Sequence, residues 1–165
     1  MVDQSSIERA LAARADPATG LLVPAVFLDR VDQALGLAQR VGQVAAVAVI
    51  AATDPARPGT PPAGTRPGYA RALHVVRADQ VRTTDTIGIL GDEHVGVLLP
   101  LVRVGQAPGV IGRLLASADA ASVAGGQPLL GRAGLAEGTA ATTSAGALVE
   151  AAWRALDSGS AITAG

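Results

Sequence analysis

The 165-residue chain has no cysteine, which removes disulfides, a thiol nucleophile and thiolate metal sites at once and fits a reducing interior. Aromatic residues are nearly as scarce at 2%, with Phe27, Tyr69 and Trp153 the single examples of their types. The core must therefore be fine-grained, built from Ala, Val, Leu and Ile with three isolated large pieces set into it. Imidazole ligands are limited to His74 and His94. Excess charge is missing too: 13 basic against 14 acidic residues leave a formal net charge of -1. That is no basic face for a nucleic-acid polymer. No apolar run approaches the roughly 20 residues of a membrane helix, and the acidic start Met-Val-Asp-Gln-Ser-Ser-Ile-Glu lacks the basic opening of a secretory signal. A cytoplasmic protein without membrane contact, nucleic-acid polymer or cofactor is expected.

What is present suffices for one folded domain. Hydrophobic residues make up 49%, and the 20 glycines and 10 prolines stay below the share that marks low-complexity disorder. The most informative stretch is Ile87 to Pro100, where two β-rich apolar runs flank the compact turn Gly91-Asp92-Glu93. Ile87, Ile89, Val95 and Val97 favour extended backbone, and Gly91 and Asp92 favour reversal, so a β-hairpin is expected, ended by Pro100.

The remaining elements follow from spacing. A short helix from Ser5 or Ser6 is stopped by Asp16-Pro17. Phe27, Val31, Leu35, Ala38 and Val41 recur at helical spacing, with Gly42 where a C-terminal cap belongs. Val44 to Ala52 is a continuous small-apolar run, as in a central strand buried on both faces. The Pro- and Gly-rich segment 53–68 reads as a long loop. Helices are expected over Tyr69 to Val81, from Pro108 through Ala118, and around Leu148 to Leu156, and a last strand within Gln127 to Glu137. His74 reads as an exposed helix residue and the tail from Ser158 as frayed. From Val44 onward the order is strand, helix, strand, strand, helix, strand. That order is the split βαβ arrangement of ferredoxin-like α+β folds, with a mixed sheet and helices on one face.

Asp16-Pro17-Ala18-Thr19-Gly20-Leu21, then Phe27-Leu28-Asp29-Arg30-Val31, then Leu90-Gly91-Asp92-Glu93-His94 on a hairpin, strongly resemble the GGDEF (diguanylate cyclase) family from about Ile7 to Gly159. The resemblance implies a palm-type sheet, a single GGDEF-like domain over 1–159 and a polar tail over 160–165. It also implies a bacterial signalling role. Active members join two GTP molecules into cyclic di-GMP, which needs divalent metal on hard oxygen ligands. The positions that would carry this chemistry have changed. The metal-binding aspartate at the end of the first strand aligns near Ala51 or Ala52, leaving Asp92, with Asp54 reachable only by a register shift. The Asn-Arg pair is Val23-Pro24, and the Phe-Lys-x-x-Asn-Asp segment falls on the loop Pro55 to Arg66, where nothing matches. The phosphate-holding Lys and Arg align with Leu156 and Ser160, Leu90 stands at the first turn glycine, and His94 replaces the phenylalanine as a hairpin surface residue. Leu90, Gly91, Asp92, Glu93 and His94 thus form a degenerate active-site turn, and the resemblance implies a pseudoenzyme without metal.

Arg82-Thr83-Thr84-Asp85 lies at the place of the family's Arg-x-x-Asp inhibitory site, which binds cyclic di-GMP away from catalysis. A guanidinium can fork onto guanine O6 and N7 or onto phosphate oxygens, and a carboxylate can accept from guanine N1 and N2 hydrogens. The family adds an arginine from the helix after the hairpin, aligned with Arg113, or failing that Arg103. Arg82, Asp85 and Arg113 are therefore the expected ligand residues. In isolation, Arg-x-x-Asp on a surface turn is an ordinary ion pair worth about 0–1 kcal/mol. Two readings stay open: a cyclic di-GMP receptor, and a nucleotide-independent protein-interaction or dimerisation module with a protein partner or second copy.

Overall fold

A computed structural model describes residues 3–57, 65–91, 94–139, 142 and 144–164, without the side chains of 11 and 65–67. The elements run α1 (Gln4–Ala12), α2 (Pro24–Val41), β1 (Val44–Thr53), α3 (Thr65–Gln80), β2 (Thr86–Ile89), β3 (Val95–Val102), α4 (Ala107–Ala124), β4 (Leu130–Glu137), α5 (Ala145–Asp157) and β5 (Ile162–Thr163). They build one five-stranded sheet in the order β2-β3-β1-β4-β5. β1 and β2 are joined through α3 and separated in the sheet by β3, which is the expected split βαβ arrangement.

Burial along β1 explains the layering. Ala46, Ala48, Ile50 and Ala52 enter one apolar cluster with Leu73 of α3 and Ile111, Leu114 and Leu115 of α4. The alternate residues Ala45, Val47 and Val49 enter a second cluster with Phe27 and Val31 of α2 and Leu148 and Leu156 of α5. Side chains alternate across a strand, so a run apolar at every position fills both layers. Gly42 ends α2 in the left-handed region, at φ 68°, and its N–H returns to the Ala38 carbonyl.

Several expectations change. Helices cover both faces of the sheet, not one. Each ladder in the sheet is antiparallel, and among the described residues parallel pairing is confined to an isolated bridge between Leu22 and Gly88. Pro100 lies inside β3 rather than ending it. It is tolerated because the β2 pairing stops at Leu98 and the β1 pairing is irregular between Val44 and Ala46, so no ladder N–H is needed there. The loop after β1 ends by Thr65, with Pro67 in the first turn of α3, where an N–H has no helical partner; its centre, 58–64, lies outside the described residues. Beyond Ser158 the chain is not simply frayed: β5 pairs with Arg132 and Ala133 of β4.

Candidate functional site

Arg82, Thr83, Thr84 and Asp85 form the turn between α3 and β2. The Asp85 N–H donates to the Arg82 carbonyl at 3.0 Å, closing the turn. The Asp85 carboxylate accepts the Arg82 backbone N–H at 2.8 Å and Arg82 Nη2 at 3.4 Å. Arg82 Nη2 also donates to the Leu101 carbonyl at 2.7 Å, fastening the turn to the end of β3. The guanidinium is reached by solvent and the carboxylate is not, their side chains being 57% and 2% exposed.

This turn forms one wall of a cleft of about 530 Å³ that α3, the start of β1, the end of β3 and the first turns of α4 enclose. Arg82, Asp85 and Arg113, expected together from the sequence, all line it, and so does the fallback Arg103. The turn from Arg103 to Gln106 is closed by the Gln106 N–H on the Arg103 carbonyl at 3.1 Å. Gly105 takes φ 83° there, and its N–H donates to Glu137 Oε1 at 3.2 Å. Among the described residues neither Arg103 nor Arg113 makes an ion pair. All thirteen basic residues are arginine, so each cation at the cleft is a planar, permanently charged fork.

Sequence reasoning missed the amides. Gln80 at the end of α3, Gln43 just before β1 and Gln106 just before α4 line the same cleft, alongside Asp79. No periodicity or motif marks them, because they meet only once the sheet is assembled.

The hairpin turn sits at the other end of β2, roughly 13 Å away at the usual rise per residue. Ile87 pairs with Val97 and Ile89 with Val95, and the Leu90 N–H closes the turn on the His94 carbonyl at 3.2 Å. Asp92 and Glu93 lie outside the described residues. His94 is not a plain surface residue: its ring lies 4.2 Å from that of Trp153 on α5, inclined at 38°. A small pocket beside it is lined by Ala51, Ala52, Thr53 and Arg132, and Arg132 Nη2 donates to the Leu156 carbonyl at 2.8 Å. Asp157 also lines this pocket, and among the described residues no group of three or more His, Asp or Glu side chains is placed to hold a metal ion. Ala51 and Ala52 present methyl groups, and Asp54 Oδ1 accepts the Ala56 N–H at 2.9 Å.

The motif Asp16 to Leu21 forms a closed turn, with Thr19 Oγ1 donating to Asp16 Oδ2 at 2.7 Å. It docks on α3, where Arg71 Nε donates to the Ala18 carbonyl at 3.0 Å. His74, expected to be exposed, is half-buried and covers Gly20. Its Nδ1 is buried without a hydrogen-bond partner, and burial, then the charge of Arg77, lowers its pKa from the usual 6.5. Among the described residues no helix is long and apolar enough to cross a membrane.

No family model matches the sequence, and no curated protein matches it. Solved structures do resemble its fold. The diguanylate cyclase SiaD of Pseudomonas aeruginosa, solved in complex with its activator SiaC, gives a TM-score of 0.72 at 24% identity over 93% of this chain, which spans 61% of the length of that one. A sensory box/GGDEF family protein from Caulobacter crescentus gives 0.71 at 18% identity, covering 90% of this chain and 98% of that one. The GGDEF domain of DgcB from Caulobacter crescentus, in complex with c-di-GMP, gives 0.70 at 16% identity, covering 90% of each. The chain has the fold of GGDEF domains.

Proposed function

We propose that this chain is a GGDEF-fold domain that no longer cyclises GTP and acts as a cyclic di-GMP receptor through the cleft of Arg82, Asp85 and Arg113. One observation carries the reading: three arginines line the cleft, Arg82 from the turn before β2, Arg103 from the turn after β3 and Arg113 from α4. A cyclic dinucleotide carries two phosphodiester anions, and guanidinium–phosphate contacts are charge-assisted and directional. Arg82 keeps Nε and Nη1 available, and Arg103 and Arg113 are unpaired among the described residues. The solved relative in complex with c-di-GMP supports this choice of ligand. Loss of cyclisation is supported by the methyl groups of Ala51 and Ala52, where an active member places a metal-binding carboxylate.

A second reading has its own observation. Both Asp85 oxygens are bonded within the turn and the side chain is 2% exposed, as in a purely structural ion pair. On that reading the domain is a nucleotide-independent protein-interaction or dimerisation module. Calorimetric titration with cyclic di-GMP beside GTP and Mg²⁺ separates the two. The receptor reading expects saturable cyclic di-GMP binding and no product from GTP. Absence of heat, with identical thermal melting with and without cyclic di-GMP, supports the module. Formation of cyclic di-GMP from GTP overturns the loss of cyclisation.

A further inference from the structure

Resting on the receptor reading, we infer that the cleft binds purine cyclic dinucleotides with little preference between guanine and adenine. The inference comes from where the two guanine-reading groups have gone. A guanidinium forks onto guanine O6 and N7 through a pair of nitrogens, and both of its forks include Nη2. In Arg82, Nη2 donates to the Leu101 carbonyl at 2.7 Å and to Asp85 Oδ1 at 3.4 Å, so the nitrogen common to both forks is already engaged. The remaining donors, one hydrogen on Nε and two on Nη1, form no parallel pair without Nη2 and suit separate phosphate oxygens better than a paired base edge. Asp85, the acceptor that would tell guanine N1–H and N2–H from the adenine edge, is spent on the Arg82 backbone and side chain and closed to solvent.

Base recognition then falls to the other polar groups of the cleft. Gln43, Gln80 and Gln106 each carry a donor and an acceptor, and among the described residues none of these amides makes a side-chain hydrogen bond. A carboxamide pairs bidentately with adenine N6 and N7 and, turned over, with donor–acceptor edges of guanine. Three amides with no side-chain hydrogen bond among the described residues to hold them can present either orientation and so accept either purine. Arg103 and Arg113 supply the phosphate contacts, which do not depend on the base. Asp79, at the rim, is the one further carboxylate lining the cleft and offers an acceptor to either exocyclic amine.

The test is competition calorimetry on the whole chain with three probes: the cyclic dinucleotides carrying two guanines, two adenines, and one of each. Two intact guanine readers at about 1 kcal/mol each would give a preference of about thirtyfold, so affinities within thirtyfold of one another are expected. A guanine preference above that, with binding retained, overturns this inference and leaves the receptor reading standing. Binding of none of the three overturns the receptor reading itself, and the inference with it. Asp85→Asn gives a second readout: equal loss for guanine and adenine ligands is expected of a turn-closing carboxylate, and selective loss of the guanine ligand contradicts it. Gln80→Leu and Gln106→Leu, tested singly, should include at least one that weakens the two-adenine ligand several-fold; unchanged affinity in both overturns the role of the amides.

Discussion

The Asp85 carboxylate is held by the residue it would have to cooperate with: one oxygen accepts the Arg82 backbone N–H at 2.8 Å and the other faces Arg82 Nη2 at 3.4 Å. The pair is thus first a turn and only second a ligand surface. Arg82, 57% exposed, keeps an outward edge for an anion, while the Asp85 carboxylate, 2% exposed, is taken up in closing the turn.

Arg82→Ala removes one phosphate-facing cation and the tie to the Leu101 carbonyl. Cyclic di-GMP affinity should fall about tenfold to a hundredfold, the range of a charge-assisted hydrogen bond. Stability should fall by no more than about 1 kcal/mol, because the side chain is mostly solvated. Calorimetry and thermal melting check the two parts separately; unchanged affinity would sink the site.

Phe27 is fully buried against two glycines. A methyl group on Gly96 would lie 2.6 Å from the Phe27 ring, and one on Gly88 2.7 Å from Phe27 Cβ. Gly96→Ala should therefore destabilise by about 1–3 kcal/mol through overpacking. Adding Phe27→Leu should recover part of that loss, giving a non-additive double-mutant cycle in urea unfolding. Simple additivity would show that the ring does not set the contact.

His74 ties stability to pH. Its folded pKa lies below the usual 6.5, so between the lowered value and 6.5 the unfolded chain binds more protons than the folded one. Its contribution is complete above about 6.5 and is lost as pH falls through that window. Melting temperature followed from pH 8 to 5 should show this acid-side decline, and His74→Gln should flatten it. An identical profile in the variant would remove His74 as the cause.

Tyr69 donates to Asp119, whose Oδ1 also accepts the Gly131 N–H at 2.9 Å, so α3, α4 and β4 meet at one carboxylate. Burial, then the hydrogen bond to Asp119, pushes the phenol pKa far up, and Tyr69 stays neutral at any ordinary pH. Tyr69→Phe should cost about 1–2 kcal/mol, since one donor to a charged acceptor is lost while Gly131 remains. Denaturant titration measures it; an effect below about 0.3 kcal/mol would mean the carboxylate finds water instead.

Much of the fold was legible in the chain itself. The unbroken apolar run of β1 implied two covered faces, and it outweighs the expectation of helices on one side alone, because no face of such a strand tolerates water. Helix α2 and its Gly42 cap followed from local chemistry. Pro100 misled because a missing N–H matters only where the ladder needs it, and that depends on register with β1 and β2. The contact of His94 with Trp153 and the gathering of Gln43, Gln80 and Gln106 join residues far apart in sequence, and no spacing rule announces them. That Arg82, Asp85 and Arg113 would line one cleft was expected from the family resemblance, which supplied the long-range partner that periodicity could not.

The most direct measurement is a crystal structure of the chain grown with cyclic di-GMP. The expected result is a dinucleotide in the cleft between α3, β3 and α4, its phosphates on Arg103 and Arg113 with Arg82 beside them. A dinucleotide bound instead at the hairpin turn beside His94 and Trp153, or a cleft left without ligand at saturating concentration, would contradict the account.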